Sequence, residues 1–150
     1  MQGYAGDKYT TMVGEGHISL MPWNYSAITA GTWVWQASAN QAFYGSYNNS
    51  SNAQNDQIDY KVYLDVGTYT FTNLTILDTS RAIITLLIDG GSVGTVDCYA
   101  ATAYNSIKSI SGIAITTAGL KTISMKAASR HASATQWYIY SSGISLYRTA

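Results

Sequence analysis

The most regular hydrophobic pattern lies in the middle of the chain. Residues 58–65 alternate cleanly between two sets of side chains, and a period of two marks a strand with one buried and one solvated face. Val66-Gly67 reverses the chain, and threonines then alternate with aromatic residues over residues 68–72. Ile83–Ile88 is almost continuously apolar, which is typical of a central strand. The pattern therefore predicts three consecutive β-strands.

The second of these strands carries a break in its alternation. After Phe71 the next apolar positions are Leu74 and Ile76, which are out of phase by one residue with the aromatic positions before them. A slip of one residue would turn every later side chain to the opposite face of the sheet. The pattern therefore predicts a β-bulge near Thr72-Asn73.

Turn signals divide the rest of the chain into further short strands. Asp89-Gly90-Gly91 favours the positive φ angles of primed hairpin turns, so the chain should return as a strand after it. Further strands are expected at residues 32–38, 93–99, 106–115, 120–126 and 136–149. No helical period extends over more than a turn or two. About eight to ten short antiparallel strands predict an all-β fold, a jelly-roll β-sandwich.

The N-terminal 30 residues differ from this regular part. Four glycines and the only proline, Pro22, interrupt them too often for a long element, yet they hold too many apolar side chains for a disordered tail. We expect residues 1–30 to form an irregular arm that packs on the core or on a neighbouring subunit, and residues 31–150 to form the jelly-roll domain. Cys98 is the only cysteine, so no intrachain disulfide forms, and its apolar neighbours predict a buried thiol.

Composition excludes several classes of function. Eight basic residues balance eight acidic ones without a block of either sign, so no basic stripe for nucleic acid exists. The longest apolar run, residues 82–88, is too short for membrane insertion, and residues 1–4 show no signal-peptide pattern. A surface that is polar through hydroxyl and amide groups, with few charges, is typical of extracellular or virion-surface β proteins. We therefore predict that this protein lies on a virion surface or outside the cell.

Catalytic and metal-binding patterns are weak. The two histidines, His17 and His131, accompany no G-x-S-x-G nucleophile motif, and most aspartates fall at turns or on solvated strand faces. We therefore predict no enzyme, no catalytic residue and no cofactor. Asp56 and Asp59, with their Asn and Gln neighbours, offer oxygen ligands for a structural calcium. An ordinary polar entry to a strand explains these residues without a metal ion, and we prefer that interpretation.

Sugar recognition is the best specific candidate. It needs an aromatic plate for the apolar face of a pyranose, together with amide and hydroxyl groups that fix its orientation. The candidate carbohydrate-binding residues are Trp137, Tyr104, Asn105, Tyr44 and Arg130, with residues 47–49 beside Tyr44. Aromatic residues in β proteins usually pack the core instead, and a place in the core or at an interface is preferred for Trp33 and Trp35.

Three segments resemble the galactose-binding-like jelly roll of family-six-type carbohydrate-binding modules. They are residues 60–77, 84–99 and 118–126, and their shared markers are Gly67, Tyr69, Asp89, Gly90, Gly94 and Gly119. The same order of hairpins is found in small jelly-roll domains of predicted phage tail and virion structural proteins. Because the markers are turn and core residues, the resemblance implies a fold for residues 58–149. Such modules tend to place an asparagine near the stacking aromatic, whereas Tyr138-Ile139-Tyr140 follows Trp137 here.

Two functions follow from these observations. The low charge and the apolar arm favour a non-enzymatic virion-surface subunit of a phage-like tail, fibre or capsid decoration. Its predicted partners are copies of itself, as a trimer, other virion proteins and surface glycans, with no nucleic acid. The alternative is a carbohydrate-binding module of a secreted polysaccharide-acting system.

Overall fold

The computed structural model describes residues 11–12, 16–37 and 45–150, and for residues 11–12 it describes the backbone alone. Regular structure in these ranges is entirely β. The strands are β1 (Thr11–Met12), β2 (His17–Leu20), β3 (Ala27–Ala30), β4 (Trp33–Gln36), β5 (Ser46–Asn49), β6 (Gln57–Leu64), β7 (Gly67–Leu77), β8 (Ala82–Ile88), β9 (Gly91–Asp97), β10 (Tyr104–Ile115), β11 (Gly119–Arg130), β12 (Tyr140–Ser141) and β13 (Gly143–Arg148). No helix in the described part of the chain has the length and apolar character needed to cross a membrane.

The strands form two five-stranded antiparallel sheets. The first has the order β1-β2-β13-β7-β10 and the second has the order β3-β6-β11-β8-β9. One hydrophobic core contains side chains of both sheets, such as Phe71 and Leu146 from the first and Leu86 and Met125 from the second. The predicted all-β sandwich is therefore confirmed. A third, three-stranded sheet has the order β12-β5-β4.

The described strands of the N-terminal region join both large sheets. β2 pairs with β13 in the first sheet, and β3 pairs with β6 in the second. Ile18 and Leu20 of β2 are buried in the common core. This part of the chain therefore packs on the core, while the boundary near residue 30 and contact with a neighbouring subunit stay predictions.

The β-bulge expected near Thr72-Asn73 is absent, and the prediction is wrong. β7 pairs with β13 and β10 through these residues without a shift of register. The alternation continues instead, so Asn73 and Thr75 follow Phe71 on the buried side and have no exposed surface. A polar side chain in the core interrupted the hydrophobic pattern. The register irregularity lies in the neighbouring strand β10, between Ile110 and Ile113.

Asn73 is tolerated in the core because its side chain is paired. Its amide nitrogen donates to the carbonyl oxygen of Tyr140 at 3.2 Å, and its carbonyl oxygen accepts from Ser141 Oγ at 2.7 Å. A buried amide with satisfied hydrogen bonds avoids most of its desolvation cost. Asn73 thus attaches strand β12, and with it the third sheet, to the first sheet.

Asn73→Ala should lower the free energy of unfolding by about 1–3 kcal/mol, because it leaves the Tyr140 carbonyl and the Ser141 hydroxyl unpaired in the core. Chemical denaturation measures this loss. Ser109→Ala is the matched control, since Ser109 is an exposed residue of the adjacent strand. A change within about 0.5 kcal/mol for both variants would contradict the structural role of Asn73.

Cys98 is buried, as its sequence context predicts, with 1% of its surface exposed. Burial raises the pKa of its thiol to about 12, from an ordinary value of 9.0. Because the thiolate is the reacting form, a disulfide reagent at pH 8 should modify the folded protein at least about 100-fold more slowly than the denatured protein. Equal rates in the two states, followed by absorbance of the released thiol, would show that the thiol is accessible.

Candidate functional site

Four connections between strands meet at one end of the sandwich, which we term the loop end. They are residues 50–56, 78–81, 98–103 and 131–139. Their proximity follows from the antiparallel registers, since Arg130 at the end of β11 lies opposite Ala82 at the start of β8. In the same way, Tyr104 at the start of β10 lies opposite Leu77 at the end of β7. Exposed connections carried by a rigid scaffold are where binding groups concentrate.

Trp137 lies in the longest of these connections, and hydrogen bonds hold its backbone on both sides. Its amide N–H donates to Asn52 Oδ1 at 2.7 Å, and its carbonyl oxygen accepts from Asn49 Nδ2 at 3.0 Å. Two residues later, the amide of Ile139 donates to Asn49 Oδ1 at 2.6 Å. The backbone that carries the indole is therefore fixed by asparagine side chains that come from another part of the chain.

Asp56 holds one of these asparagines, Asn49, in place. Its buried carboxylate oxygen Oδ2 accepts hydrogen bonds from Asn49 Nδ2 at 2.9 Å, Ser51 Oγ at 2.8 Å and the Ala53 amide at 2.9 Å. Gly31, which has a φ of 83°, closes the other side, where a Cβ atom would overlap the Asp56 carboxylate. Glycine alone is compatible with both the positive φ and the close approach.

The two aspartates considered as calcium ligands, Asp56 and Asp59, have different hydrogen-bond partners. Asp56 faces the buried asparagine, whereas Asp59 accepts hydrogen bonds from Thr29 Oγ1 and, at 2.9 Å, from Gln57 Nε2 on strand β6. Within the described ranges, no group of three or more His, Cys, Asp or Glu side chains could hold a metal ion. The carboxylate of Asp56 acts as an acceptor for protein donors in this arrangement.

Arg130 and Trp137, two of the predicted site residues, are in direct contact. The guanidinium carbon lies 4.8 Å from the centroid of the indole ring, a cation–π distance. Arg130 Nη1 also donates to the carbonyl oxygen of Thr135 at 3.3 Å, which ties the exposed arginine to the same connection. Trp137 is half-buried, so the pair presents an aromatic surface and a cation together.

A second aromatic stack begins at the next residue of the chain, His131. The ring of His131 lies parallel to that of Tyr99, with centroids 4.3 Å apart and planes 7° apart. His131 Nδ1 accepts a hydrogen bond from the Ser133 amide at 3.1 Å, so the neutral ring carries its proton on Nε2. No local signal indicates its stacking partner, which is 32 residues away in the chain.

A buried arginine fixes the connection between β7 and β8. Arg81 Nε donates to the carbonyl oxygen of Ile76 at 2.8 Å, and its guanidinium lies 3.8 Å from the Tyr140 ring centroid. Its Nη2 is 3.8 Å from Asp78 Oδ2. Burial lowers the pKa of Arg81, although Tyr140 and Asp78 oppose this shift. The partly exposed carboxylate of Asp78 therefore has this buried guanidinium as its ion-pair partner.

The other predicted site residues have different positions. Tyr104 and Asn105 are exposed at the loop end, on the first residues of edge strand β10, and 55% of the Tyr104 surface is accessible. Tyr44 lies outside the described residues. Residues 47–49, expected as exposed companions of Tyr44, form buried strand β5 instead, and that expectation is wrong. These residues form part of the third sheet, and Asn49 also hydrogen-bonds to the backbone of Trp137.

Sequence reasoning missed an exposed aromatic pair. Trp33 is buried and stacks on Tyr47, as expected for a core residue, but Trp35 is 44% exposed. Trp35 meets Trp23 edge to face, with ring centroids 5.1 Å apart, and Trp23 is 46% exposed. The alternation of strand β4 placed both tryptophans on one face. It did not show that the core covers this face at Trp33 and leaves it exposed to solvent at Trp35.

Three further aromatic side chains, those of Tyr25, Tyr47 and Tyr60, are partly or fully buried. Tyr25 stacks on Tyr47 with centroids 5.7 Å apart, and the Tyr60 hydroxyl donates to the Pro22 carbonyl oxygen at 2.7 Å. Burial, together with Tyr25, raises the pKa of Tyr47 to about 12. These rings anchor the segment that carries Trp23 to the core.

Comparison with known proteins defines the fold. No protein-family model matches the chain, and no curated protein sequence matches it either. Among solved structures, the chain is similar to part of a Paenibacillus xanthan lyase, with 22% identity, a TM-score of 0.63 and coverage of 83% of this chain. The chain spans only 12% of that lyase.

Two matches extend over nearly whole modules. A family 36 carbohydrate-binding module in complex with calcium and xylotriose is 19% identical, with a TM-score of 0.62 over 85% of this chain and 98% of the module. A family 6 module from Clostridium cellulolyticum in complex with xylose is 13% identical, with a TM-score of 0.57 over 88% of this chain and 96% of the module. The chain thus has the jelly-roll fold of carbohydrate-binding modules, as its sequence resemblance predicted.

Proposed function

We propose that this chain is a non-catalytic carbohydrate-binding module that binds a glycan at the loop end. The observation that carries this proposal is the fixed position of Trp137 beside Arg130. Hydrogen bonds from Asn49 and Asn52 hold the backbone of Trp137 on both sides. A ring that is ordered before binding loses little conformational freedom when a ligand packs against it.

The chemistry of the loop end suits a sugar ligand. The indole of Trp137 supplies an apolar surface, and hydrogen-bond donors come from Arg130 at the end of strand β11 and from His131 and Gln136 in the connection that follows. Carbohydrate sites combine a few oriented polar groups with an aromatic surface in this way. The family 36 and family 6 modules described above support this function, because the first is in complex with xylotriose and the second is in complex with xylose.

A virion-surface subunit is the second candidate function. The comparisons favour the carbohydrate-binding alternative over it. One observation supports assembly, namely the exposed apolar side chains around strand β4. They belong to Met21, Trp23, Val34 and Trp35. Contiguous exposed apolar surface often marks a protein interface. The trimer, the virion partners and the localisation on a virion or outside a cell stay predictions.

Trp137→Ala should weaken binding to a responsive polysaccharide by at least about tenfold, because it removes the central apolar surface. Affinity electrophoresis against xylan, mixed-linkage β-glucan, mannan and pectin finds the ligand, and calorimetry then measures the loss. Trp35→Ala is the matched control, since it removes an exposed tryptophan from the other aromatic surface.

The pair of variants separates the site from the function. Binding that is lost in Trp35→Ala and kept in Trp137→Ala would contradict the loop-end site while leaving the binding function intact. A failure of the wild-type protein to bind any polysaccharide of the panel would argue against the function itself.

Light scattering over a dilution series tests the second candidate. The carbohydrate-binding proposal expects the mass of a monomer, 16.2 kDa, at every concentration. A trimer that resists dilution and dissociates in Trp35→Ser would favour the virion subunit instead, because this substitution removes apolar surface from the exposed patch.

A further inference from the structure

We propose that the loop-end site selects an acidic glycan, in which a pyranose ring carries a carboxylate. The inference rests on the proposed function, since it names the ligand class of the same site. It begins with the charge of Arg130, which forms no ion pair with any other described residue.

The ion pairs of the described residues do not include Arg130. They join Arg81 to Asp78 at 3.8 Å and Lys121 to Asp89 at 3.4 Å. Arg130 contacts the neutral Trp137 ring and donates from Nη1 to the Thr135 carbonyl oxygen. A guanidinium has five N–H donors, so this one bond leaves most of its hydrogen-bonding capacity for a ligand.

The carboxylates of the loop end have other partners. Asp56 is buried and accepts three hydrogen bonds within the anchor of Trp137. Asp78 faces Arg81, and Asp97 accepts from the Tyr99 amide at 2.8 Å. Their charges are therefore used to fix the connections. An exposed arginine without an acidic neighbour is a ready partner for an anionic group.

His131, the next residue in the chain, adds a second N–H donor. Its Nδ1 is occupied by the Ser133 amide, and its ring is held flat against Tyr99. The proton on Nε2 is therefore available for donation. Two consecutive residues, Arg130 and His131, thus both contribute N–H donors, and each is packed on an aromatic ring. This arrangement favours a ligand rich in acceptors.

A hexuronate residue matches both parts of the site. Its carboxylate projects from the edge of the pyranose, where a guanidinium forms two parallel hydrogen bonds with it. The apolar face of the same ring is free to pack against an aromatic surface. A neutral hexose packs against the aromatic surface but offers no carboxylate to the guanidinium. We therefore expect the carboxylate to supply the discrimination.

Matched glycans test this inference. Polygalacturonate, alginate and glucuronoxylan are each compared by calorimetry with their carboxyl-reduced forms, which keep the linkages and lose the charge. At least one acidic polymer should bind about 10- to 100-fold more tightly than its reduced form. The ratio should fall as sodium chloride is raised to about 0.5 M, because salt screens the charged contact.

Variants assign the selectivity to Arg130. Arg130→Gln should bring the affinity for the acidic polymer down to that for the reduced form. Arg148→Gln is the control, because it makes the same change of charge on strand β13, at the opposite end of the sandwich. Thermal unfolding verifies that both variants are folded.

The possible results separate the two proposals. Equal binding of acidic and reduced polymers, or a preference unchanged in Arg130→Gln, overturns the acidic selectivity. Neutral binding that is still lost in Trp137→Ala would leave the proposed function standing. A wild-type protein that binds neither the acidic nor the neutral polymers contradicts the proposed function as well.

Discussion

The site depends on one buried asparagine. Asn49 has no exposed surface, yet its side chain hydrogen-bonds to Asp56, to the carbonyl of Trp137 and to the amide of Ile139. The last two partners lie 88 and 90 residues further along the chain. A buried amide is costly unless its donors and its acceptor are all paired. The connection that carries Trp137 can therefore take only the path that satisfies Asn49.

The two ends of the sandwich are built by different means. At the end opposite the loop end, connections of two or three residues link β6 to β7, β8 to β9 and β10 to β11. Asp89 and Gly90 adopt positive φ angles of 50° and 84° there, as a primed hairpin turn requires. Short turns thus close that end, whereas the longer connections of the loop end are held by a network of side-chain hydrogen bonds. This difference leaves the longer connections able to carry ligand contacts.

The sequence predicted those parts of the molecule in which local pattern and burial agree. Strand β6 alternates as expected, with Ile58, Tyr60, Val62 and Leu64 all buried. The prediction failed where a polar side chain is buried, because the hydrophobic pattern contains no information on distant hydrogen-bond partners. Asn73 was therefore interpreted as part of a phase slip, and residues 47–49 were grouped with Tyr44 as sugar-binding candidates although they are buried.

The candidate site was predictable to a similar degree. Closeness in the chain was enough to associate Arg130 with Trp137. The anchors Asn49, Asn52 and Asp56 come from another part of the chain, and the edge-to-face contact of Trp23 with Trp35 joins a loop to a strand. Such contacts arise from tertiary packing, so a single sequence without covarying relatives does not show them.

The separation between anchoring and contacting groups has an evolutionary consequence. Asn49 and Asn52 hold the backbone around Trp137, whereas the donors of Arg130, His131 and Gln136 take no part in the bonds of these two asparagines. Exchange of these three side chains would leave the asparagine bonds in place. Under the proposed function, ligand preference can therefore change through a few substitutions while the backbone path of the connection is kept.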